Sequence, residues 1–83
     1  MITSSLEWSQ RRDVLVEQIR TLPYNSDLRK MLANIEPMVR DLSRAEVFYR
    51  RTRRSGKSIP ELDRVNDAIN ELEKWIIMGK LWA

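Results

Sequence analysis

Three ladders of apolar residues at seven-residue spacing dominate this 83-residue chain, and they lie on both sides of one arginine-rich segment, residues 50–57. The ladders are Trp8, Leu15 and Leu22; Leu28, Ile35, Leu42 and Tyr49; and Leu62, Ile69 and Ile76. A seven-residue apolar repeat is typical of helices that pack along their lengths. The pattern therefore predicts an all-α fold, an antiparallel three-helix bundle dominated by a long helical hairpin.

Capping residues and prolines predict where the helices begin and end. Ser4 with Glu7 three residues later forms a candidate capping box at the first helix, and Pro23 ends that helix. Pro37 falls inside the second helix, and because the heptad phase continues through it, we expect a kink there rather than a break. The expected helices, all within one domain over residues 1–83, cover residues 4–22, 26–53 and 59–79.

The ladders also predict which residues face one another. If the chain doubles back near Gly56, antiparallel pairing keeps the sum of opposed residue numbers constant. The predicted pairs are Tyr49 with Leu62, Leu42 with Ile69, and Ile35 with Ile76. The first helix should then lie along the base of the hairpin and end opposite about residue 45, so that residues 46–63 project beyond it.

The composition excludes most catalytic chemistry. The chain has neither cysteine nor histidine, which removes disulfides, thiolate nucleophiles, imidazole bases and the usual zinc ligands. The segment Gly56-Lys57-Ser58 lacks the upstream glycine and the preceding strand of a phosphate-binding loop. We therefore predict no catalytic residue, no cofactor and no metal site.

No stretch of the chain is apolar over the length of a membrane span, and the longest apolar run covers only residues 75–78. No signal peptide is evident at the amino terminus. We expect a cytoplasmic protein with no membrane partner.

The second helix carries a basic, partly aromatic segment that leads to the predicted turn. Its candidate binding residues are Arg40, Arg44, Phe48, Arg50, Arg51, Arg53, Arg54 and Lys57. The formal net charge is only +3, so the clustering rather than the total points to an anionic partner. Arginine forks bind phosphate oxygens bidentately, and an acidic protein would be bound equally well. The remaining interpretation is internal compensation by acidic residues at the start of the third helix: Glu61, Asp63, Asp67 and Glu71.

The carboxyl end holds more apolar residues than one helix seam can bury. Trp75 is assigned, with Ala68 and Trp82, to a stripe that faces the first helix. The residues left as a candidate apolar interface are Ile77, Met78, Leu81 and Trp82. Either the first helix covers this surface with Val14 and Val16, or it contacts a partner or a second copy of the chain.

These patterns favour binding over chemistry. We expect a small interaction or regulatory protein that docks on a larger macromolecule. The expected assemblies are a complex with a protein partner and a homodimer. A chain this short would suit an inhibitor or adaptor of a phage or mobile element, although no residue supports that idea. The alternative is a nucleic-acid-binding protein whose arginines contact phosphates, as a dimer. A helix-turn-helix over residues 28–53 is disfavoured because the connection at Pro37 is too abrupt.

Overall fold

Three α-helices and one short 3-10 turn make up the computed structural model, which describes residues 2–22, 26–52 and 59–82 without the side chains of Ser26, Thr52, Lys80 and Trp82. The 3-10 turn covers Ser5–Glu7, α1 covers Trp8–Arg20, α2 covers Ser26–Thr52 and α3 covers Pro60–Trp82. The described residues contain no strand. The predicted all-α helical bundle is confirmed, whereas the predicted turn at Gly56 lies outside the described residues.

The core is built from the predicted ladders. Its buried members are Ile2, Trp8, Leu15, Ile19, Leu22, Leu28, Leu32, Ile35, Val39, Leu42, Val65, Ile69, Leu72 and Ile76. Every ladder residue is among them except Tyr49 and Leu62, which are half-buried. Burial of each large side chain contributes about 1.5–3 kcal/mol before conformational entropy is subtracted.

Polar contacts fix the direction of α1 relative to α2. The main-chain N–H of Ser5 donates to the Glu46 carboxylate at 3.1 Å, and farther along the chain Arg12 pairs with Glu36 at 2.6 Å. As residue numbers rise from the 3-10 turn into α1, the numbers of their partners on α2 fall. The two helices run in opposite directions.

Contacts with α3 follow the opposite order. Ile2 bonds to Asn66, and Arg11 forms an ion pair with Glu73. Near the end of α1, Leu22 lies against Gly79. Residue numbers rise together here, so α1 and α3 run in the same direction. The residue-by-residue register between α2 and α3 stays a prediction. The kink at Pro37 also stays a prediction, and α2 continues through this residue without a break.

The predicted capping box at Ser4 is wrong. The Ser4 side chain makes no capping hydrogen bond. Instead, the Glu7 carboxylate accepts hydrogen bonds from the main-chain N–H of Thr3, at 3.1 Å, and from the Thr3 hydroxyl. The chain enters as a 3-10 turn whose last residue is Glu7, so this carboxylate lies at the start of α1 and reaches back to Thr3.

The third helix extends past its predicted end at residue 79 and continues to Trp82. Gly79 acts as a point of close approach rather than as a terminator. A Cβ atom at this position would lie 3.2 Å from the Cδ1 atom of Leu22, which is tighter than ordinary van der Waals contact. A glycine therefore lets α3 pass close to the end of the first helical segment.

The amino-terminal segment covers more of the hairpin than was expected from a first helix that starts near Ser4. Ile2 is buried, and together with Thr3 it lines a surface hollow beside Leu62 and Asp63 of α3. The part of the hairpin that extends past this segment is therefore shorter than the predicted residues 46–63.

Candidate functional site

Three arginines of α2 share one solvent-exposed face. Arg40, Arg44 and Arg51 are exposed, and their spacings of four and seven residues place them on one side of the helix. With a rise of about 1.5 Å per residue, they cover about 16 Å of helix length. We call these three residues the arginine face. Arg50 is also exposed, about a quarter-turn away around α2.

Aromatic and aliphatic groups lie between these cations. Phe48 is 54% exposed and Val47 is 44% exposed. The ring of Phe48 meets that of Tyr49 edge to face, with centroids 5.6 Å apart and planes at 80°. This contact orients Phe48 beside the arginine face, which gives the surface an apolar centre among its charges.

Two acidic residues of α2 are engaged by the first helical segment. Glu36 pairs with Arg12 of α1, and Glu46 accepts the two contacts of the Ser5 N–H at 3.1 and 3.3 Å. Both carboxylates thus hold the amino-terminal segment against α2. Neither carboxylate forms an ion pair with an arginine of α2 within the described residues.

Within residues 2–22, 26–52 and 59–82, three ion pairs form: Arg11 with Glu73, Arg12 with Glu36, and Arg20 with Glu17. None of them includes a member of the arginine face or Arg50. Exposed arginines that form no ion pair with a carboxylate retain their capacity to bind an external anion.

The acids of α3 that were predicted to compensate the basic segment form no ion pair with it among the described residues. Asp63, Asp67 and Glu71 are exposed on α3, and Glu71 accepts a hydrogen bond from the Trp75 indole N–H at 3.1 Å. Glu61 lines a surface hollow of about 460 Å³ together with Arg44. At that position it can attract Arg44 across the hollow without forming a direct pair.

Of the eight predicted binding residues, five are described and exposed: Arg40, Arg44, Phe48, Arg50 and Arg51. The others, Arg53, Arg54 and Lys57, lie outside the described residues. The described part of the predicted site is therefore the outer side of α2.

The second candidate surface lies at the carboxyl end of α3. Ile77 is 60% exposed and Leu81 is 81% exposed, and Met78 is exposed as well. We call these residues, with Trp75, the apolar face of α3. The interpretation that α1 buries this surface with Val14 and Val16 is wrong, since Ile77, Met78 and Leu81 remain exposed. The side chain of Trp82, the remaining predicted member, lies outside the described residues.

The predicted place of Trp75 in the seam with α1 is also wrong. Trp75 is 46% exposed, whereas its neighbour Ile76 is 2% exposed. Successive helical residues are rotated by about 100°, so Trp75 and Ile77 turn outward on either side of Ile76. The angle around the helix, rather than the apolar character of the side chain, decides which residue is buried.

Asn66 is the one buried polar residue among the described positions, and the apolar ladders do not predict it. Its side chain exchanges two hydrogen bonds with the main chain of Ile2. A signal was present, because Asn66 follows Leu62 by four residues and precedes Ile69 by three, which places it on the buried side of α3.

No group of three acidic side chains within the described ranges is arranged to hold a metal ion. None of the helices, over the residues that are described, is long and apolar enough to cross a membrane. Comparison of the chain with protein-family models, with curated proteins and with solved structures finds no match.

Proposed function

We propose that this chain is a non-enzymatic interaction protein of the cytoplasm that docks on a larger anionic macromolecule through the arginine face of α2. One observation carries the proposal: Arg40, Arg44 and Arg51 are aligned on one helix face, and no carboxylate within the described residues pairs with them. Two acids of the same helix are used instead to hold the amino-terminal segment.

The rigidity of α2 makes this surface a better anion site than scattered arginines would be. The helix is packed into the core through residues such as Ile35 and Leu42, which are 1% and 0% exposed. The backbone positions of the arginines are thus fixed before binding, so less conformational freedom is lost when the partner docks. Phe48 adds an aromatic contact, and arginine and aromatic residues are both enriched in protein interfaces.

A protein partner is favoured by the apolar face of α3. Exposed aliphatic side chains such as Ile77 and Leu81 lose contact with water when an apolar protein surface covers them. A second copy of the chain would supply such a surface, and so would a larger protein.

Nucleic acid is the second candidate partner. It is supported by the row of arginines outside the ion pairs, because arginine forks bind phosphate oxygens bidentately and neutralised phosphates release counterions. Binding through phosphate contacts carries no sequence preference, because the phosphate backbone is the same at every base pair.

The proposal is tested by fluorescence anisotropy with two labelled polyanions, a short double-stranded DNA fragment and a polyglutamate peptide. The double variant Arg44→Gln/Arg51→Gln removes two charges from the arginine face. The matched control Lys30→Gln/Lys74→Gln removes the same charge from exposed positions on α2 and α3 that lie outside the arginine face.

We expect the first variant to weaken binding of the preferred polyanion at least tenfold and the control to weaken it less than threefold. Preference for polyglutamate supports an acidic protein partner, and preference for DNA supports the nucleic-acid alternative. Equal losses in the two variants would contradict a localised site, and so would the absence of binding to both probes at low salt.

A further inference from the structure

A groove between α1 and α2 contains a cavity of about 330 Å³ that the proposed docking function does not use. The described residues that line it are Val16, Ile19 and Arg20 from α1 and Arg29 and Leu32 from α2. We propose that this cavity binds a small amphiphilic anion, a carboxylate carried on a short acyl chain.

The floor of the cavity is apolar. Ile19 is 2% exposed and Leu32 is 8% exposed, and Val16 packs against the core as a half-buried residue. Ligand sites in proteins typically enclose about 300–1,000 Å³ and are lined mainly by apolar side chains with a few polar groups. The cavity lies at the lower end of that range, which suits a short chain rather than a long lipid.

The charges at the rim select an anion. Elsewhere in the same groove the helices face each other with opposite charges, where Arg12 pairs with Glu36 at 2.6 Å. At the cavity, α1 contributes Arg20, α2 contributes Arg29, and no carboxylate is among the lining residues that the structure describes. Two cations that line one apolar cavity from opposite helices form a site that a single carboxylate would satisfy.

The nearest internal acid does not remove this site. Glu17 bonds to Arg20 at 3.2 Å, but the two side chains are 66% and 69% exposed. Exposed pairs of this kind contribute little, so a ligand carboxylate can replace Glu17 as the partner of Arg20. Arg29 forms no ion pair within the described parts of the chain.

The cavity is separate from the arginine face. Arg29 precedes Arg40 by eleven residues, which corresponds to about 16 Å along α2. Loss of polyanion binding and loss of ligand binding at the cavity can therefore be observed independently.

The test is a nuclear magnetic resonance titration of the ¹⁵N-labelled full chain with octanoate below its micelle concentration. We expect saturable amide shifts centred on Val16, Ile19 and Leu32. Shortening the acyl chain should weaken binding about fourfold for each methylene removed, because each buried methylene contributes a fixed increment. Octanol, which has the same chain without the charge, should bind at least tenfold more weakly.

The variant Arg29→Gln should weaken octanoate binding at least fivefold and leave octanol binding unchanged. Its matched control is Lys30→Gln, which removes the same charge from the adjacent exposed position outside the cavity. Both changes are at the surface, so the fold should be retained. The proposal would be overturned by shifts centred on Ile77 and Leu81, by equal affinity for octanol, or by an equal loss in the Lys30 variant.

Discussion

The side chain of Asn66 holds the main chain of Ile2 through two reciprocal hydrogen bonds of 2.9 Å: Asn66 accepts from the Ile2 N–H and donates to the Ile2 carbonyl oxygen. Asn66 is 7% exposed and Ile2 is 3% exposed, so the contact is shielded from water. The amide of Asn66 thus satisfies a buried stretch of backbone that has no secondary-structure partner of its own. This contact fixes the amino-terminal segment across α3.

The change Asn66→Ala should lower the free energy of unfolding by about 1–3 kcal/mol, because it leaves the buried N–H and C=O groups of Ile2 without partners. Urea denaturation followed by circular dichroism measures this difference. The control is Asn70→Ala, one turn farther along α3 at an exposed position, which should change stability by less than about 0.5 kcal/mol. A loss as large in the Asn70 variant would show that the contact with Ile2 contributes nothing specific.

The carboxylate of Glu7 should make folding stability depend on pH. Its pKa is lowered below its ordinary value of 4.5, first by the hydrogen bond from the Thr3 hydroxyl and then by that from the Thr3 main-chain N–H. A carboxyl group with a lowered pKa in the folded state stabilises the fold at neutral pH, and this contribution is lost as pH falls below 4.5 through the folded-state pKa.

Glu7→Gln should therefore lower the melting temperature at pH 7 and have progressively less effect in acid. In a Thr3→Val background the effect of Glu7→Gln should shrink, because the hydroxyl donor is gone. Thermal unfolding of the four chains between pH 7 and pH 3 makes the comparison. A difference between wild type and Glu7→Gln that stays constant over this range would contradict the account.

Two adjacent isoleucines of α3 should respond in opposite ways to the same substitution. Ile76→Glu places a charge in the core at a position that is 2% exposed, and we expect the chain to lose its cooperative fold. Ile77→Glu affects a side chain that is 60% exposed, so the helical circular dichroism should be unchanged. If the apolar face of α3 contacts a second copy, light scattering should show that Ile77→Glu dissociates the oligomer. Unfolding of the Ile77 variant would mean that the residue is core.

The hydrophobic ladders of the sequence were sufficient to predict the bundle and most of its core. Leu15, Leu42 and Ile69 are all 0% exposed, because a seven-residue repeat keeps them on one side of each helix. The start of the chain could not be predicted in this way. Ile2 belongs to no ladder, and its burial depends on a hydrogen bond to Asn66, which is distant in sequence.

The arginine cluster was visible in the sequence. The sequence did not show which of these arginines form no ion pair. The sequence pattern indicated the acids of α3 as the compensating charges. It did not show that Glu36 and Glu46 of α2 are used to hold the amino-terminal segment. Such pairings depend on how α1 lies across α2, which is a tertiary property that periodicity along one helix does not encode.

The salt dependence of DNA binding tests the central claim most directly, because a site formed by the arginine face must release counterions when it neutralises phosphates. For wild type, the logarithm of the affinity should fall linearly with the logarithm of the salt concentration. In Arg44→Gln/Arg51→Gln the magnitude of the slope should decrease by about 1.8, at about 0.9 for each phosphate that is no longer neutralised. The control Lys30→Gln/Lys74→Gln should keep the wild-type slope. A slope that is the same in all three proteins would contradict the assignment of the arginine face as the docking surface.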